Sequence, residues 1–173
     1  MNQKGPRLGE PASLWRMRAV PVATVMIASA LPLMLPLVAS SPVLPPLGLL
    51  FFLCWQLLRT EMWPVWVGLP LGLWDDLFSG APIGTAVFLW TAASIAIAYL
   101  SQRIYWRGFF HDWAIGALLV ALVQAIAALL THPHAETGRV LGLVAPQIIV
   151  SILLLPLFLR LTGKFDNFRL KRR

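Results

Sequence analysis

From Ala19 to Leu58 the chain runs forty residues without one charged side chain, and four more long uncharged stretches follow before Arg160. A helix needs about 20 mostly apolar residues to cross a hydrocarbon core of about 30 Å, and only helices and closed barrels satisfy their backbones there. Runs this long and this apolar dictate membrane helices. The composition agrees: 58% of the 173 residues are apolar, 12% are charged and the mean hydropathy is +0.75, outside the usual range of a soluble domain.

Forty residues are too many for one span, and Ser40, Ser41, Pro42, Pro45 and Pro46 break the run near its middle. The spans are therefore read as residues 19–39, 43–58, 62–78, 82–100, 113–131 and 140–159, a six-helix membrane domain over residues 19–160. Residues 1–18 and 161–173 form basic tails. The first span is longer than a signal-peptide core and is read as a retained helix. Pro32 and Pro36 are expected to kink it, and Pro70 to bend the third.

This threading puts both termini on one side with thirteen of the fourteen Lys and Arg residues, leaving only Arg139 opposite. Basic residues in short loops resist translocation, so that side is the cytoplasm. Trp15, Trp63, Trp106 and Trp113 are expected at the cytoplasmic interface. A pI near 10.8 invites a nucleic-acid reading, but the basic residues lie between and beyond apolar runs rather than on a folded face. Anionic lipid is the expected counter-charge, above all for Arg169, Lys171, Arg172 and Arg173.

The segment Gly68 to Gly84 carries the most local information. Gly68, Gly72 and Asp76 recur every four residues and share one helix face, where small residues let another helix approach closely. Helix from Met62 to Asp76 spans about 21 Å, so Asp76 is expected below the outer surface, facing a cavity, a partner or hydrogen-bond donors. Two readings stand for it: a structural one, bonding the next loop, and a functional one. Asp75 projects about 100° away and is expected to be solvated at the outer interface. Gln124 and Gln147 are read either as interhelical hydrogen-bonding groups or as the lining of a pocket. Cys54 lies inside an apolar run and is expected to be a core residue. No nucleophile with a base, paired-histidine motif or phosphate-cradling loop is present in the sequence, so a non-enzyme without cofactor or metal is expected.

The pattern Gly72, Asp76, Leu77, Ser79, Gly80 and Gly84 resembles the most recognisable stretch of the MreD family, the rod shape-determining membrane proteins of bacteria. Length, six spans and a short basic C-terminal tail fit as well. The resemblance implies a non-catalytic scaffold of the cell-elongation complex in the inner membrane. It would bind the single-span protein MreC and help couple MreB filaments to peptidoglycan synthesis by RodA and its partner transpeptidase. Gly68, Gly72, Asp76, Ser79, Gly80 and Gly84 are then the expected partner-binding or packing residues. The family is in turn similar to the substrate-binding subunits of energy-coupling-factor vitamin transporters, six-helix bundles with an outward pocket. That likeness supplies the rival reading, a small-molecule-binding transporter subunit with a pocket near Asp76, Gln124 and Gln147.

Overall fold

The computed structural model describes residues 14–34, 44–103 and 108–170, and no strand occurs among them. Six α-helices follow in order: α1 Leu14–Met34, α2 Leu47–Leu58, α3 Gly68–Ser79, α4 Thr85–Arg103, α5 Phe109–Thr131 and α6 Thr137–Leu170. A short 3-10 turn, Val65–Val67, leads into α3. Among the described residues three helices, α4, α5 and the bulk of α6, are long and apolar enough to cross a membrane.

The expected bounds shift for local reasons. Pro45 and Pro46 delay α2 to Leu47, and α2 and α3 have 12 residues each. At 1.5 Å per residue each is about 18 Å long, short of a full crossing. Pro70 does not interrupt α3, because it is the third residue of that helix, where a backbone N–H needs no acceptor within the helix. Pro21 and Pro32 lie inside α1, while Pro36 falls outside the described residues. α6 continues 11 residues past the predicted end of the sixth span, so much of the expected tail is helix.

α2 is the centre of the bundle, packing on α1, α4, α5 and α6. Its Phe52, Leu53, Cys54 and Trp55 are fully buried. Phe52 stacks on Trp90 of α4 with centroids 4.6 Å apart, within the range where aromatic pairs add to simple burial. Trp63, expected at the interface, instead packs against Phe52 and is buried, because the turn after α2 folds it back over the core. Trp15 and Trp106 lie outside the described side chains.

Polar groups fasten the helices where hydrophobicity gives no direction. Gln56 Nε2 donates to Ser94 Oγ at 3.1 Å, and the Ser94 hydroxyl in turn donates to the Trp90 carbonyl at 3.0 Å. In lipid such a bond contributes about 0.6–2 kcal/mol. Trp55 Nε1 donates to Thr24 Oγ1 and Trp74 Nε1 to the Met26 carbonyl, joining α2 and α3 to α1. The outward faces remain apolar, as on α6, where Ile149, Leu153 and Leu157 are all more than half exposed. Such faces suit lipid contact.

Candidate functional site

α3 and α4 meet in a turn whose geometry is set by glycine. Gly80 closes α3 with φ +67° and Gly84 precedes α4 with φ +103°, values that L side chains rarely adopt. A Cβ at either position would meet nothing within 4 Å, so backbone conformation alone demands glycine there. The first N–H groups of α4 lack acceptors within their own helix. Asp76, one turn before the end of α3, supplies them from outside: its Oδ2 accepts from Gly84 N at 2.8 Å and Val87 N at 3.3 Å, and its Oδ1 from Ala86 N at 2.8 Å. The carboxylate thus sits at the positive end of the α4 dipole. Only 3% of Asp76 is exposed. Three donors and a helix terminus account for a charge held at that depth. Ser79 is exposed, and its Oγ accepts a long 3.5 Å contact from Ala81 N.

The face that Asp76 shares with Gly68 and Gly72 is turned onto α4 of the same chain. A Cβ at Gly72 would stand 2.7 Å from the Ala86 oxygen and the Val87 nitrogen, and one at Gly68 2.7 Å from Thr91 N. Two backbones therefore touch along this line. The expected opening for a second protein is filled internally, and the six expected binding or packing residues form a hairpin joint between α3 and α4.

Asp75 is a correction. Instead of lying in outer solvent it points back between α1 and α2, where a Cβ at Gly48 would overlap Ser29 Oγ and come within 2.9 Å of Asp75 Oδ1. The side chain also borders a cavity of about 330 Å³. This cavity occupies one end of the bundle, between the C-terminal ends of α3 and α5 and the N-terminal ends of α4 and α6. At the opposite end Leu57, Ile97, Leu100 and Ile115 draw α4 and α5 together around a gap of about 10 Å³.

Gln124 and Gln147 both line the cavity, with different bonding. Gln147 Nε2 donates to the Leu44 carbonyl at 2.8 Å, fixing α6 to the strap before α2. Gln124 is 6% exposed, and among the described residues neither its Nε2 nor its Oε1 has a hydrogen-bond partner.

Two fastenings escaped the sequence reading. Gln56 stands in a run of large apolar residues, and its amide was the available signal for the bond to Ser94. Arg59 and Asp166 pair at 3.0 Å across 107 residues, with side-chain exposures of 48% and 8%, pinning the extension of α6 to the end of α2. Nothing local foretells that partnership. Of the basic residues expected to meet lipid, Arg169 falls in the last turn of α6, and Lys171, Arg172 and Arg173 lie outside the described residues.

A family model described as rod shape-determining protein MreD matches residues 16–165. No curated protein and no solved structure matches the chain. The match runs from the first turn of α1 through most of α6 and takes in the α3–α4 joint and the cavity. By that coverage this helical, membrane-type chain belongs to the MreD family of rod shape-determining proteins.

Proposed function

We propose that the chain is a non-catalytic scaffold of the bacterial cell-elongation machinery, seated in the inner membrane with both termini in the cytoplasm. It binds an MreC-like single-span protein and helps couple MreB filaments to peptidoglycan synthesis by RodA and its transpeptidase. The observation that carries this reading is the family match across residues 16–165. The clamped α3–α4 joint supports it physically, since a scaffold must hold its surfaces in fixed register, and Asp76 with two backbone-to-backbone glycines does so.

With Gly68 and Gly72 already covered by α4, the partner helix must use an outward face. The face of α3 formed by Leu69, Leu73 and Leu77 lies about 100° around the helix from the joint, and all three are exposed by 46% or more. Its spacing of four residues suits a helix laid alongside. Anionic lipid meets the basic ends of the chain, with Arg169, Lys171, Arg172 and Arg173 the principal contacts.

Cysteine crosslinking in membranes tests the proposal. Cysteines at Leu69, Leu73 or Leu77, in a background with Cys54 replaced by Ala, should crosslink to the single-span partner, while a cysteine at Leu153 on α6 should not. Partner capture that fails altogether overturns the scaffold reading; capture with crosslinks confined to Leu153 moves the docking face to α6.

A further inference from the structure

The cavity holds one side chain, Gln124, that neither packing nor capping consumes. Asp76 is satisfied by the N-terminus of α4 and Gln147 by Leu44, but Gln124 is not satisfied by any described residue. A buried amide with no partner is destabilising. Asp75, a carboxylate that also approaches Ser29 of α1, borders the same space. No Lys or Arg lines the cavity among the described residues, while two aspartates do. Leu49, Leu89 and Trp90 supply apolar and aromatic wall.

These features restrict what fits. An anionic ligand would meet two carboxylates and no Lys or Arg, with His132 at the rim as the basic side chain among the described lining residues. A purely apolar one would leave the Asp75 carboxylate and the Gln124 amide facing hydrocarbon, which is unfavourable. A ligand with a protonated amine and an adjacent hydroxyl or amide satisfies both: the ammonium pairs with Asp75, and the other group meets Gln124. The terminal torsion of a Gln side chain is broad, so its amide can turn onto such a group without leaving a rotamer well. Trp90 offers a ring of the kind that attracts cations. A volume of about 330 Å³ lies in the range of small-molecule sites, which run from about 300 to 1,000 Å³.

We infer that this cavity binds a small ligand or headgroup bearing a protonated amine, with Asp75 as its counter-ion and Gln124 as its second hydrogen-bonding partner. The inference stands apart from the scaffold proposal, because it concerns what fills the bundle end rather than what docks on its outside.

The same chemistry has two sources, a free amine in the periplasm or the ethanolamine headgroup of a lipid, and the test separates them. Thermal unfolding of the full chain is followed in detergent with ethanolamine hydrochloride against sodium chloride of equal ionic strength. It is followed again in nanodiscs of phosphatidylethanolamine against phosphatidylglycerol with the same acyl chains. Stabilisation by ethanolamine identifies a free amine; stabilisation only in phosphatidylethanolamine identifies the headgroup. Either response should weaken by about ten-fold in apparent affinity, 1.4 kcal/mol, in Asp75→Asn and in Gln124→Leu. Gln124→Leu should also start more stable than the parent, having shed an unpaired amide, so a lost response cannot be blamed on misfolding. The inference is overturned if neither arm stabilises the parent chain, as a water-filled cavity requires, or if both variants respond like the parent.

Discussion

Replacing Asp76 with Asn keeps the side chain's size and removes its charge and one acceptor. In the native joint one oxygen holds Gly84 N and Val87 N while the other holds Ala86 N. An Asn can place its carbonyl on one of these sites, and its NH₂ then faces a donor at the other. The better orientation keeps the Gly84 and Val87 bonds and strands the Ala86 N–H, which is buried. Stranding a buried donor costs about 1–3 kcal/mol, and losing the anion at a helix N-terminus adds about 0.3–1 kcal/mol. A destabilisation of about 1.3–4 kcal/mol is expected from these two terms. Thermal or denaturant unfolding of the purified chain in detergent, read by tryptophan fluorescence, measures it. Asp76→Ala, which strands all three donors, should be worse still. If the Asn variant unfolds within about 0.5 kcal/mol of the parent, a range typical of substitutions that touch nothing important, the carboxylate clamp is not what holds α4 to α3.

Other outcomes follow from the same joint and from the far end of the bundle. Gly72→Ala should cost about 1–3 kcal/mol by forcing the α4 backbone away, and a variant as stable as the parent in the same unfolding assay would rule out backbone contact along that line. Gly84→Ala should cost about 1 kcal/mol through its left-handed conformation alone, since its Cβ meets nothing; circular dichroism should show unchanged helix content with a lower melting temperature. Arg59→Ala leaves Asp166 without its guanidinium and should loosen the end of α6, raising protease cleavage near Lys164 while α3 and α4 stay protected. Asp166→Asn should have the milder effect, because the charge that loses its partner, Arg59, is half exposed to solvent rather than buried.

The sequence made the helical membrane class readable because uncharged runs have few other physical solutions, and it placed Asp76 because a carboxylate at that depth needs donors. What lay opposite each residue was harder to read. Helices apolar on every side, such as α5, carry no amphipathic signal for which face turns inward. Gly68 and Gly72 announced a close approach without naming the approaching backbone. Asp75 was misplaced because a rotation of about 100° along α3 fixes its direction but not what stands there, and Ser29 and Gly48 arrive from helices far away in the chain. Trp63 was assigned to the interface on a preference that a turn folded over Phe52 overrides. Arg59 and Asp166 are too distant in sequence for any spacing rule to connect.

α3 has a further consequence for how the protein is made. A segment of 12 residues is too short to remain lodged across a lipid leaflet pair by its own greasiness, and this one also carries two acids near its trailing end. Its stable seat exists only once the following segment has emerged and offered its amide hydrogens to Asp76. We therefore expect Gly68 to Arg103 to enter the membrane together as one two-legged unit. A nascent chain halted just after Ser79 should leave its third leg at the water's edge.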